Sequence, residues 1–274
     1  MILPSLIEGW ISHFWSADHS MQWLHAEHPI WFPLSPDTIL VGVVDAIGIN
    51  AEDKTFFGEW KTANPREKNT WKQLWRKNPQ SLTYGVLVRS IYPGCHDFTV
   101  RKAFKPTSFK GKLSEPSYDH AWYTYSDAEL DHWTLELLKI AHEIREYRTL
   151  LDPWPTNFRS CFDYGLTYVC PFFAEGCDKH DWGFVPATAL RMDGRLKTLP
   201  PDARPWASNL LPSAASNHLV VLSASSVDTW LRCRERYRKH YEVGIDTESN
   251  DAAKLGTAIH SALGKHYRTM IVPK

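Results

Sequence analysis

The sequence lacks any apolar run long enough to span a bilayer. Its first residues, MILPSLIEGWISHFW, have neither a basic start nor a small-residue cleavage site, so a cytosolic (cytoplasmic) chain with no membrane partner is expected. It also lacks a charge imbalance. With Lys and Arg numbering 31 against 31 Asp and Glu, any affinity for nucleic acid has to come from local patches, since the global field is neutral. Cysteine is scarce, five residues in 274, which in an intracellular chain argues against a disulfide framework and for thiolate ligands. Missing too are a G-x-S-x-G elbow, a phosphate-cradling G-x-x-x-x-G-K and an H-E-x-x-H pair, and there is no internal repeat. The 43% apolar content is ordinary for a folded chain, and the length allows one sizeable core, alone or with a small appendage.

Apolar residues at helical spacing from Leu3 to Trp15 predict a helix, and WLHAEHPIWFPL predicts a strand on which His25, Glu27 and Pro29 share a face. Two more strands follow. In VGVVDAIGI the two-residue period groups Val41, Val43, Asp45, Ile47 and Ile49, so Asp45 is a carboxylate among aliphatic neighbours. After the polar turn Asn50 to Lys54, FFGEWK puts Phe57, Glu59 and Lys61 on one face. Burying such charges costs free energy unless opposite charge meets them. If the strands pair, two carboxylates and one ammonium converge, a set that suits a hard divalent cation, a phosphate oxygen and an attacking water. Glu27 either joins this acidic face or is a solvated edge-strand glutamate.

From Thr62 to Pro79 the chain is polar, with Lys68, Lys72 and Arg76 interleaved with Trp71 and Trp75. Two readings fit: a nucleic-acid surface, with cations on phosphates and rings on bases, or a solvated helix with both tryptophans turned inward. Pro79 opens QSLTYGVLVRSIY, a helix on which Gln80 and Tyr84, four apart, share a face. HDFTVRKAF reads as a strand running into a basic stretch that includes Arg101, Lys102 and Lys105. Ser126 to Leu151 is an amphipathic helix with Ser126 as cap and a stripe of Leu130, Trp133, Leu137, Ile140 and Ile144. Residues 183–218, rich in Pro, Ala, Ser and Asn, read as a linker. Beyond them VLSASSVDTWLRCRERYRKHY offers a serine-capped helix, and LGTAIHSALGKHY a second helix bearing His260.

GVVD (Gly42 to Asp45), GEWK (Gly58 to Lys61) and QSLTY (Gln80 to Tyr84) resemble the motifs of the PD-(D/E)xK nuclease superfamily, in particular its RecB-like branch with a trailing Q-x-x-x-Y. The resemblance is strongest from Leu24 to Tyr84. It implies an α/β fold, a mixed central β-sheet flanked by helices as in a restriction-endonuclease-like core. It also implies that Asp45 and Glu59 bind the catalytic Mg2+ or Mn2+, that Lys61 positions or activates the water, and that Gln80 and Tyr84 contribute from the neighbouring helix. The implied activity is metal-dependent hydrolysis of DNA phosphodiesters, by an exonuclease acting on ends or single strands in recombination or repair, often beside a helicase partner. The alternative is a DNA-binding or scaffold module whose site is no longer used.

Cys161, Cys170 and Cys177 cluster closely enough to read as metal ligands. In many RecB-like nucleases three cysteines after the core join one distant cysteine, which follows a Ser-x-Ser helix start, around an iron-sulfur cluster. An early G-x-x-x-H element there gives its histidine to the active-site metal. Here the matching elements stand at the other end: Ser223 to Ser225, Cys233, and Gly256 to His260. The resemblance thus implies a 4Fe-4S cluster on Cys161, Cys170, Cys177 and Cys233, with His260 at the catalytic metal; Zn2+ held by the first three cysteines and His180 is the local alternative. Cys95, in the turn PGC, stands apart. The expected organisation is a core with a cysteine-rich tail over 1–182, the linker over 183–218, and a helical segment over 219–274. That last segment either completes the same domain, as in a circularly permuted chain, or begins a second unit.

Overall fold

A computed structural model of the protein describes residues 2–65, 68–106, 108–109, 112–149, 154–157, 160–161, 170, 172, 219–242 and 251–271. Helix α1 (Ile2–His19) precedes strands β1 (Gln22–Ser35), β2 (Thr38–Ile49) and β3 (Thr55–Ala63). Helices α2 (Trp71–Trp75) and α3 (Pro79–Ile91) lead to β4 (Asp97–Phe104), a ribbon of β5 (Ser108–Phe109) and β6 (Lys112–Leu113), and β7 (Ser117–Thr124). Helix α4 (Asp127–Thr149) follows. The later elements are β8 (Val220–Leu222), α5 (Ala224–Arg232), α6 (Arg234–Tyr237), a π-helical turn at Arg238–Glu242, and α7 (Asp251–Met270). None of these helices is long and apolar enough to cross a membrane.

The fold is mixed α/β, with a central mixed sheet in the order β1-β2-β3-β4-β7 and helices flanking it. β2 and β3 form an antiparallel hairpin paired from Ala46↔Gly58 to Ile49↔Thr55. Asn50 makes its turn, the side-chain oxygen accepting from the amides of Glu52 and Lys54 at 3.0 Å. β3 runs parallel to β4, from Phe56↔Asp97 to Ala63↔Phe104, which a hairpin cannot achieve, so α2 and α3 supply the crossover. β7 is antiparallel to β4, and β8 lies parallel to the start of β2. Capping residues set the helix starts. Asn78 accepts from the amide of Gln80 at 2.8 Å with Pro79 in the first turn, and Ser223 and Ser226 form a capping box at α5.

The chain divides into two compact units interleaved in sequence: Met1–Ile30, Gly42–Asp131 and Ser249–Lys274 in one, Trp31–Val41 and His132–Glu248 in the other. In the second, Tyr147, Trp154, Trp230 and Tyr237 make an aromatic cluster, and Arg148 holds Glu242 through two hydrogen bonds of 3.0 and 2.8 Å. In the first, α1, α7 and one face of the sheet share a core that includes Trp10, Trp23, Trp60, Leu263 and Tyr267.

Arg101 and Lys102, which open the basic stretch at the end of β4, are not solvated. They are 2% and 4% exposed. The Arg101 guanidinium lies over the rings of Phe14 and Trp60 at 4.5 and 5.1 Å, and Nη1 donates to the Asp18 carboxylate and to the Tyr267 hydroxyl at 2.9 Å. Tyr267 in turn donates to Asp18 Oδ2 at 2.9 Å and accepts from Trp10 Nε1 at 3.0 Å. Lys102 lies over Trp71 and Trp75 at 5.2 and 5.6 Å. Removing one partner of a buried pair leaves the other charge uncompensated, at about 3–5 kcal/mol. Arg101→Met should therefore lower the urea-unfolding free energy by about that much, and adding Asp18→Leu should recover a large part of it. Strictly additive losses would disprove the coupling.

Candidate active site

The β2–β3 ladder ends at Ala46↔Gly58, and one residue further along β2 a carboxylate takes over from the backbone: Asp45 Oδ2 accepts the amide of Trp60 at 2.7 Å. The strands part there, with Asp45 at the fork. Val43, two residues on along the same face of β2, is 51% exposed, so the fork opens to solvent. From β3, Glu59 enters with 1% exposure. Its Oε1 accepts from Gln80 Nε2 of α3 at 2.7 Å and pairs with the ammonium of Lys61, while Oε2 is buried without a hydrogen-bond partner. From α7, His260 Nδ1 lies 3.1 Å from Asp45 Oδ1.

Gly42 brings α3 up to this fork. A Cβ there would stand 2.8 Å from Leu87 Cδ1 and 2.9 Å from Tyr84 Cε1, so only glycine admits the helix at this depth. Tyr84 then shares the electrostatic field of the carboxylates, with Gln80 as its hydrogen-bonding neighbour. Burial, together with the charges of Glu59 and Asp45, pushes its hydroxyl far above the ordinary range, so it stays a neutral donor.

Burial, reinforced by the charge of Asp45, pushes the Glu59 carboxyl up to about 7. For Lys61, burial favours the neutral amine, but the charges of Glu59 and Asp45 and the hydrogen bond to Glu59 outweigh it, leaving its pKa raised. Lys61 is therefore an ammonium at neutral pH, able to hold a water or an anionic oxygen but not to act as a ready base. Burial likewise works against protonation of His260, and contact with Asp45 overcomes it, so that its pKa is raised.

Of the side chains picked out in the sequence, Glu59 meets Lys61 and Gln80, His260 meets Asp45, and the two sets lie within each other's electrostatic field, as does Tyr84. Glu27 does not share this cluster's contacts: it pairs with Arg268 and lies against Gly264, both on α7. The nucleic-acid reading of the Trp71 region needs correction. Trp71 and Trp75 are 1% and 8% exposed, covered through Lys102 and a Trp71 Nε1 bond to Asp119 of 3.2 Å, so their rings cannot stack on bases. The inward-facing alternative holds because two indoles bury more apolar surface than their ring N–H groups cost. Lys68, Lys72 and Arg76 are bonded at the surface to Ser117, Asp119 and Glu129.

In the second unit Cys161 and Cys170 are buried beside Phe172, with the Cys170 amide donating to the Cys161 carbonyl at 2.8 Å. Cys161 Sγ reaches the Asn157 carbonyl at 3.7 Å, and Asn157 Nδ2 donates to the carbonyl of Arg232, the neighbour of buried Cys233, at 2.9 Å. Cys177 and His180 lie outside the described residues, as does the 183–218 stretch. Cys95 is buried, which pushes its thiol up to about 12.

Residues 221–273 match the family model of the PD-(D/E)XK nuclease superfamily. No curated protein matches the chain. The matched stretch carries Cys233 and His260 but none of Asp45, Glu59 or Lys61. Contact in space joins the two sets, since His260 of the matched stretch meets Asp45 outside it. What sequence reasoning did not single out is the Trp60 amide that orients Asp45; the alternation of β3 turns its indole away from Glu59 and gives no sign of its N–H.

A carboxyl raised in the folded state gives up stability as pH rises from its unfolded value through about 7, because the native state holds the proton longer. Glu59→Gln removes that loss. In the presence of EDTA the variant should melt near wild type at pH 5 and clearly higher at pH 8, by on the order of 2–3 kcal/mol of added stability. An equal difference at both pH values would contradict the assignment.

Proposed function

We propose that this protein is a metal-dependent nuclease that hydrolyses DNA phosphodiesters, acting on ends or single strands, in the manner of the RecB-like branch. The observation that carries the proposal is the meeting of His260, from the stretch that matches the superfamily, with Asp45 beside a glutamate whose second oxygen is buried without a donor. A carboxylate oxygen left so costs stability in a purely structural role. Among the described residues no group of three or more His, Cys, Asp and Glu side chains forms a ready metal cage. Magnesium does not need one, since it keeps several waters and takes one or two carboxylates. The carboxylates of Asp45 and Glu59 are hard donors that fit Mg2+ or Mn2+, with the His260 imidazole as a softer third group beside them, and the ion when bound would neutralise phosphate charge and acidify a water.

The chain's own groups do the rest. Gln80 holds Glu59 in place, and the Trp60 amide holds Asp45. Lys61, charged and 27% exposed at the fork, can donate to the attacking water or to a phosphate oxygen. The water oxygen bonds to phosphorus as the ester P–O bond breaks, leaving a phosphate monoester and a hydroxyl. In this reading the chain is circularly permuted: the helix that opens the family's domain comes last and completes the site. Asp45→Ala should abolish Mg2+- or Mn2+-dependent degradation of single- and double-stranded DNA with circular dichroism unchanged. Full activity in the variant would remove the site assignment, and DNA binding without cleavage by the wild type would favour a scaffold.

We also propose an iron-sulfur cluster on Cys161, Cys170, Cys177 and Cys233, supported by the Asn157 link that ties the Cys161 loop to the residue before Cys233. Anaerobically purified protein should be brown, with broad visible absorption lost in Cys233→Ser; a colourless zinc-containing protein would decide for zinc.

A further inference from the structure

β1 breaks its regular geometry at Glu27, whose φ of 49° lies in the left-handed region that a side chain in a strand enters at a cost of about 1 kcal/mol or more. The break changes the alternation of the strand. His25 and His28, three apart and on opposite faces of a regular strand, stack with centroids 4.0 Å apart and planes at 24°. Neither glycine nor asparagine is present to ease the bend, so something must be gained from it.

The gain is the place of the Glu27 carboxylate. It presses into α7 at Gly264, where a Cβ would stand 2.6 Å from Oε2, 2.8 Å from Cγ and closer still to Cδ. Oε2 also accepts from Arg268 Nη2. Side-chain exposures of 28% and 52% make that ion pair worth too little to offset the strained backbone alone. Its value is positional. His260, Gly264 and Arg268, spaced by four, line one face of α7, and the first of them meets Asp45. A carboxylate seated against Gly264, where a Cβ would have to displace it, one turn from His260 and tied one turn beyond, sets how closely β1 and α7 approach at this level of the helix.

We infer that Glu27 is a positioning residue that seats α7 through Gly264 and Arg268 and thereby holds His260 on Asp45. The inference assigns Glu27 no contact with metal or substrate; its metal readout rests on the nuclease reading, while a second readout does not. Mn2+ affinity is measured by calorimetry, and the His260 ring nitrogens are followed by NMR in metal-free protein. Glu27→Ala and Gly264→Ala should each weaken Mn2+ binding about tenfold or more, in the range found for residues that orient ligands, and each should shift the His260 ring signals. Glu27→Gln, with the same shape and an oxygen for Arg268, should restore both to near wild type. In Glu27→Ala/Gly264→Ala the new methyl takes room the carboxylate has left, so the double variant should bind Mn2+ no worse than the weaker single. Additive losses, or unshifted His260 signals in Gly264→Ala, would overturn the inference. Wild-type protein that takes up no Mn2+ would overturn the metal reading instead, with the His260 signals still deciding the role of Glu27.

Discussion

A guanidinium in an aromatic box anchors the last turns of α7 through Tyr267, and the candidate site depends on it. Arg101 comes from β4, Asp18 from the end of α1 and Tyr267 from α7, so one buried network joins three elements far apart in sequence. Each partner is satisfied by the others: the Tyr267 hydroxyl accepts from Arg101 and Trp10 and donates to Asp18. Ring faces of Phe14, Trp23 and Trp60 offset part of the desolvation that the cation suffers. Tyr267 and His260 are seven residues apart, two helical turns on one side of α7, a rise of about 10 Å. Fastening the tyrosine to β4 therefore aims the histidine at β2.

The site itself is built against stability. Glu59 is buried near Asp45, and its pairing with Lys61 and Gln80 satisfies one of its oxygens and leaves the other without a hydrogen-bond partner. A core that needed only to be packed would place an apolar residue at position 59, since its neighbours Phe57 and Trp60 show that the strand accepts large apolar groups there. Two carboxylates, an ammonium and an imidazole are gathered at one place instead, where the charge of Asp45 raises the proton affinity of Glu59, Lys61 and His260. The surrounding aromatic core is what tolerates the expense.

Much of the fold was legible because periodicity is local. The two-residue alternation put Glu59 and Lys61 on one face of β3, and spacing by four put Gln80 and Tyr84 on one face of α3. Charge in a strand was legible only halfway. Arg101 and Lys102 read only as part of a basic stretch; a charged side chain is exposed by default, and what reverses the default, Asp18 and the aromatic rings, lies many residues away. Trp71 and Trp75 left two readings open for the same reason: a tryptophan next to a lysine looks alike whether the ring faces a base or the core. The left-handed backbone at Glu27 had no local sign at all, as glutamate carries no preference for it.

His260 shows most clearly the difference between order in sequence and order in space. Nothing in LGTAIHSALGKHY sets its histidine apart by periodicity, and its neighbour in the site, Asp45, precedes it by 215 residues. The site needs its groups to be present together, and the sequence in which they are synthesised does not enter the chemistry. What must be kept is the surface on which α7 rests. That surface comprises α1, through Trp10 and Asp18, β4 through Arg101, and β1 through Glu27, all from the first half of the chain. Because α1 and α7 share one core, α7 could be joined ahead of α1 or far behind it and still find the same partners. A helix held by buried contacts on one side and by the Glu27 carboxylate on the other is therefore free in sequence and fixed in space.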